Sequence, residues 1–205
     1  LADQFGIDRI ELCSDFGEGG VTPSVGALAY LKTKIKIPII VMIRPSGGDF
    51  VYSEEELEVM RRDIQILNLH GSDGFVFGIL DEAGQVDQKA CGVLVAEAGN
   101  KPCTFHRAFD ICSDPGIALE NIVACGFKRI LTSGMRNSVS EGLPIISDLL
   151  DLAQDRIIIM PGGGLKPSDV EKLKASNKLM EVHASCKGYR NTKSTFTSKE
   201  VALSK

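Results

Sequence analysis

Short runs rich in isoleucine and valine alternate along the chain with longer amphipathic stretches. Strands are predicted over 7–13, 37–44, 74–80, 102–107, 129–133, 156–160 and 179–185. Their starts lie about 23 to 37 residues apart, the length of a strand–helix repeat with tight loops. The helices between them carry their own punctuation. Ser53 opens S-E-E-E, a capping box with acids in the first turn, and Leu57, Met60, Ile64 and Leu67 follow at helical spacing. Gly71 stands where that helix should end, with His70 as a helix-end residue beside it. Thr22-Pro23 and Asp114-Pro115 each read as an N-cap followed by proline at the first helical position, and Gly126 closes the second of these helices.

Repeated β-α units whose strands are apolar on both faces indicate a parallel sheet covered by helices. Two architectures satisfy that pattern, an open doubly wound sheet and a closed eightfold barrel. Polar residues separate them. Glu11, Arg44, His106, Glu181 and His183 interrupt otherwise apolar strands, mostly near the C-terminal ends. Those ends converge on one mouth in a barrel, whereas an open sheet would scatter several of them far from its crevice. No G-x-G-x-x-G fingerprint follows the first strand. The expected fold is therefore a single-domain α/β TIM (β/α)8 barrel, with seven strands visible and the first strand missing ahead of Leu1.

Composition narrows the function classes. With 205 residues, 43% hydrophobic and 24% charged, the chain can bury a sizeable core. Its 23 basic and 27 acidic residues give a net charge of -4, which argues against a nucleic-acid partner. The longest apolar run, Ile37 to Ile43, is seven residues, too short to cross a membrane. Six cysteines form no C-x-x-C pair, and no apolar leader opens the sequence, so free thiols in a reducing cytoplasm are expected.

The candidate chemistry gathers at strand ends. Pro161-Gly162-Gly163-Gly164 follows the RIIIM strand, and bare glycine N–H groups there suit a phosphate or other anion, a structural turn being the alternative. Ser133-Gly134 at the preceding strand end offers further donors. Glu181 and His183 are two apart and share a face, as do Glu11 and Cys13, Met42 and Arg44, and Thr104 and His106. A carboxylate, an imidazole and a guanidinium around one cavity suit proton transfer beside a bound anion, and a layer of mutually satisfied interior charges is the competing reading. Cys91, Cys103 and Cys125 read as small buried hydrophobes. Cys13, Cys112 and Cys186 are expected near the mouth, where soft thiolates suit Cu(I), although no two lie at ligand spacing.

Several segments together resemble the CutC copper homeostasis family: DRIELCSDFGEGGVTPS (8–24), IPIIVMIRPSGGDFVYSEEEL (37–57), SDGFVFGILDEAGQVD (72–87), TFHRAFD (104–110), RILTSG (129–134), EGLPII (141–146) and RIIIMPGGG (156–164). The resemblance implies a TIM barrel and a cytoplasmic, copper-linked protein that binds or traffics Cu(I) and self-associates into a homo-oligomer. It places Glu11, Cys13, Arg44, His106, Arg107 and the glycines 162–164 in the strand-end signature. The segment EVHASCKGYRNTKSTF departs from the family pattern, which puts a thiol ligand at Cys186 in question. Two functions follow as expectations. The protein handles Cu(I) through Cys13 and Cys186, or it is a barrel enzyme on a small phosphorylated or otherwise anionic metabolite. In the enzyme reading Glu11, Arg44, His106, Arg107, Glu181 and His183 carry the chemistry.

Overall fold

In the computed structural model, residues 5–188, 191, 193–196 and 200 are described. Among these residues six strands form: β1 Ile10–Leu12, β2 Ile39–Met42, β3 Gly74–Phe77, β4 Cys103–Phe105, β5 Arg129–Thr132 and β6 Ile158–Pro161. Each pairs in parallel with the next, in the order β1-β2-β3-β4-β5-β6. A doubly wound sheet would reverse its order partway, so this strictly sequential order excludes it. Among the described residues six α-helices follow the strands: α1 Val25–Lys32, α2 Glu54–Leu69, α3 Gln88–Glu97, α4 Pro115–Ala124, α5 Val139–Ala153 and α6 Pro167–Lys174. Each helix packs on its successor around one side of the sheet.

Alternation along the strands divides the apolar residues into two bodies. Ile39, Val41, Phe75, Phe77, Phe105, Ile130 and Ile159 face the helices in the main core. Ile40, Met42 and Val76 point to the other face and form a small cluster with Cys13 against it. Burying each large side chain of the main core contributes about 1.5–3 kcal/mol, so the helix-facing side holds the fold together. The inner face is left free to carry polar groups.

Local signals explain most helix starts. Ser53 and Glu56 make the reciprocal capping box that opens α2, and Asp114 caps α4 with Pro115 in its first turn. His70 ends α2, its Nδ1 2.8 Å from the Ile66 carbonyl. One expectation shifts. Helix α1 is capped by Ser24 rather than Thr22, because the Thr22 hydroxyl is engaged by the backbone of Arg44.

The seventh strand, expected over 179–185, does not form. That segment runs beside β6 and makes a single ladder bond, from His183 N–H to the Pro161 carbonyl (2.8 Å). Of the two flanking ladder bonds, one would need an N–H from Pro161, which has none, and the other, from the Gly163 N–H, is not made. The result among the described residues is a curled, six-stranded parallel sheet rather than a full eightfold barrel. Side chains bridge part of the gap instead: Arg9 and Arg129 both reach the Glu181 carboxylate, and Arg9 also contacts the Met160 sulfur at 3.3 Å. Among the described residues no helix is long and apolar enough to cross a membrane.

Candidate functional site

The strand C-termini open into a cavity of about 670 Å³ lined by Glu11, Cys13, Met42, Arg44, His106, Arg107, Gly163, Gly164, His183 and Cys186. That volume falls in the range of about 300–1,000 Å³ usual for small-molecule sites. Nine of the thirteen candidate residues named from the sequence line this one space. Phe16, Glu18, Gly19, Phe50 and Lys187 also stand in the wall, and no motif or spacing singles them out.

Arg44 extends from the end of β2 and is 5% exposed, yet it pairs with no carboxylate among the described residues. Its Nη1 donates to the carbonyls of Glu18 (2.6 Å) and Gly20 (3.1 Å), and its Nη2 to that of Gly48 (3.0 Å). The guanidinium lies 5.0 Å from the centre of the Phe50 ring. These contacts hold it rigidly without neutralising it; Nε is buried with no acceptor at full hydrogen-bond geometry, and the buried Tyr52 hydroxyl is its polar neighbour. A buried, unpaired cation is costly unless a ligand supplies the missing anion.

His106 follows β4 and is 4% exposed. Gly78 makes room for it, since a β-carbon there would sit 2.7 Å from the ring Nδ1. Burial, reinforced by the Arg44 charge, pushes the imidazole down to about 3, so it is neutral at physiological pH. The Ala108 N–H donates to Nδ1 (3.3 Å), which puts the ring proton on Nε2. That Nε2 is the second buried polar atom of the cavity wall without a partner. His106 is thereby arranged as a neutral hydrogen-bond donor.

Glu11 on β1 is raised above the usual carboxylate range by burial, opposed by the charges of His183 and Arg9. Cys13, two residues on, is also raised, by burial and by the Glu11 charge. Its Sγ and the Met42 Cε flank Gly20, lying 3.2 and 3.5 Å from the place a β-carbon would take. Cys186 is exposed at the cavity rim. Cys112, expected near the mouth, is buried in the helix-side core instead. No group of three His, Cys, Asp or Glu side chains able to hold a metal occurs among the described residues.

The two anion loops expected from the sequence differ. In 162–164, the Gly162 N–H is committed to the Thr132 carbonyl (2.9 Å), whereas those of Gly163 and Gly164 meet no acceptor among the described residues. Gly163 has a φ of +102°, and the Arg107 guanidinium lies flat across it, 3.0 Å from where a β-carbon would be. The Ser133-Gly134 loop is already filled. Asp110 accepts from the N–H groups of Ser133 (3.0 Å) and Met135 (3.1 Å), and Gly134 N–H donates to the Thr132 hydroxyl (2.9 Å). The chain's own carboxylate thus occupies the place an external anion would take. Asp110 also anchors Arg107 through Nε (2.7 Å), with Nη2 on Ser133 Oγ (2.6 Å), so Arg107 is held over the cavity with Nη1 free among the described residues.

Glu181 shares a face with His183 but does not line the cavity. It sits deeper, bound to Arg9 and Arg129, and these two partners outweigh burial and hold it below the usual carboxylate range. Its role is to tie the interior together.

Sequential parallel strands, an inward polar face and a ligand-sized cavity at the strand C-termini define an α/β protein built on a curled parallel sheet, a half-barrel among the described residues. The CutC family model matches residues 1–188, and the chain belongs to the CutC family. It is 46% identical over 202 residues to the human "Copper homeostasis protein cutC homolog", spanning 98% of this chain and 74% of that protein. A CutC family protein of Xylella fastidiosa is 46% identical over 186 residues, covering 91% of this chain and 70% of its own length. Among solved structures, the putative copper homeostasis protein CutC of Streptococcus agalactiae superposes with a TM-score of 0.83 at 35% identity, covering 89% of this chain and 90% of that one. An aldolase, QR15, superposes at 0.66 with 13% identity over 90% of this chain and 80% of that one, a likeness of fold alone.

Proposed function

We propose that the mouth cavity binds a small anionic metabolite and performs acid/base chemistry on it. The observation that carries this reading is the buried Arg44 guanidinium, which has no carboxylate partner among the described residues and no acceptor at full hydrogen-bond geometry for its Nε. His106, Gly163, Gly164 and Arg107 line the same space. Three cations, Arg44, Arg107 and Lys187, face two carboxylates, Glu11 and Glu18, which leaves the wall electropositive. Glu11 is the group suited to move a proton.

The test is thermal protection by inorganic phosphate, glycerol 3-phosphate and succinate, in the wild type and in Arg44→Met. A ligand that binds only the folded state stabilises it by about 2.7 kcal/mol at a hundredfold excess over its Kd. Protection of the wild type and not of the variant supports the reading. No protection by any of the three, or equal protection of both proteins, removes it.

Copper is the second reading, favoured by the sulfur groups that line the same cavity: Cys13, Met42 and Cys186, with His183 beside them. Soft sulfur ligands suit Cu(I), which is stable with low coordination numbers. The relatives' name as copper homeostasis proteins adds to this support. An anaerobic Cu(I) competition titration of the reduced protein and Cys13→Ser decides it. Stoichiometric binding lost in the variant places the ion at the mouth; binding that the variant keeps makes the copper link indirect.

A further inference from the structure

We infer that the ligand of this cavity is a phosphate monoester of a flat aromatic body, with the phosphate held at Arg107 and the ring against Phe16. This rests on the reading of the mouth as an anion site and names the ligand class within it. Both side chains line the cavity. Both are also open to a ligand, the Arg107 side chain being 42% exposed and Phe16 57% exposed. They stand on the loops after β1 and β4, three strands apart in the sheet, so a ligand that meets both is longer than a bare anion.

Phe16 is presented by a fixed loop. Ser14 and Val21 close its base with reciprocal N–H···O bonds of 3.0 and 2.9 Å, and Gly20 N–H donates to the Asp15 carbonyl (3.1 Å). Arg44 then grips the loop through the carbonyls of Glu18 and Gly20. Arg44 itself is 5% exposed, with its nitrogens against carbonyls and the Tyr52 hydroxyl, so it adds charge to the wall rather than a contact. An exposed ring on a pinned loop suits an aromatic partner, because little freedom is lost when the two meet. Half-buried Cys13, Phe50 and Leu165 extend the apolar part of the wall. Lys187 Nζ, 5.8 Å from the Phe16 ring centre, keeps that side electropositive.

Arg107 is equally constrained. Its Nε donates to Asp110 (2.7 Å) and its Nη2 to Ser133 Oγ (2.6 Å), while Nη1 has no acceptor among the described residues. Asp110 is in turn held by the N–H groups of Ser133 and Met135, so the guanidinium cannot swing aside. Glycine at 163 lets the guanidinium lie against the loop. The Gly163 carbonyl accepts from Val139 N–H (2.9 Å), and across a planar trans peptide the Gly164 N–H therefore points away from α5. A phosphate monoester brings several acceptor oxygens to such donors, and at this exposed rim it stays partly hydrated, which limits the cost of binding a dianion.

Isothermal titration calorimetry of the reduced full chain tests this, with phenyl phosphate as probe and methyl phosphate and phenol as controls lacking one end each. Phenyl phosphate should bind at least about tenfold more tightly than either control, the gain expected of one aromatic contact or one charged anchor. Phe16→Ala, a change at an exposed position, should bring the two phosphates within about threefold of each other. Arg107→Met should weaken both phosphates by at least about tenfold, and Arg107→Gln reads the same affinities should that variant not fold. Equal affinity for the two phosphates, or a preference that survives Phe16→Ala, overturns the aromatic body and leaves the anion site standing. Phosphate binding undiminished in the Arg107 variants overturns the placement of the anion. Absence of binding by both phosphates removes this inference and the anion reading together.

Discussion

Acid should destabilise this protein through His106, and the size of the effect follows from where the ring sits. The imidazole is pushed from 6.5 down to about 3 by burial and by Arg44. The unfolded chain therefore takes up the proton first as pH falls. Because the folded value lies below the unfolded one, the stabilising contribution is complete above pH 6.5 and is lost as pH falls toward 3. At about 1.36 kcal/mol per unit, lowering the pH from 7 to 4 costs about 3 kcal/mol from this one group. That is a large share of the roughly 5–15 kcal/mol that holds a domain folded. Carboxylates such as Asp73 and Glu181, held below their usual range, lose stability in the same direction and must be subtracted. His106→Asn does this, since asparagine does not titrate and keeps an acceptor for the Ala108 N–H. Urea unfolding followed by circular dichroism at pH 7, 5.5 and 4 should show the wild type losing about 3 kcal/mol relative to the variant across that range. A constant difference between the two proteins would refute a buried, neutral His106, and with it the donor role of Nε2.

Arg44→Met should leave denaturant stability within about 1 kcal/mol of wild type, because removing an unpaired buried charge offsets the loss of its carbonyl contacts, while anion protection disappears. Gly142→Ala should cost about 3 kcal/mol in urea unfolding, since its β-carbon would meet the Ser133 carbonyl oxygen at 1.9 Å and the Gly134 Cα at 2.8 Å, both backbone atoms unable to yield. Gly92→Ala, in α3 with nothing within 4 Å, should instead stabilise by about 0.5–1 kcal/mol. Cys13 should alkylate slowly at pH 8 and faster in Glu11→Gln, because the neighbouring carboxylate helps to hold the thiol protonated; mass spectrometry of iodoacetamide adducts reads both rates.

What was legible in the chain is what alternation controls. The sheet, its helices and the inward set Glu11, Cys13, Arg44, His106 and His183 follow from period-two placement, because a strand cannot turn one such residue inward without its neighbours two away. The filled loop at Ser133-Gly134 was not legible, since the carboxylate that fills it, Asp110, comes from the preceding β-α loop, and no spacing rule links the two. The segment 179–185 shows the limit most plainly. Its alternation is correct, yet Pro161 on the adjoining edge lacks an N–H for one flanking bond and the Gly163 N–H does not make the other, so one ladder bond is left. Glu181 and His183 also share a face while serving different ends. A step of two residues moves a side chain about 6.6 Å along the chain axis. That step separates a carboxylate locked between Arg9 and Arg129 from an imidazole on the cavity wall. Sequence pattern assigns the face, but the depth along it is set by which partners arrive from other strands. Depth is what divides an interior tie from a group that can meet a ligand.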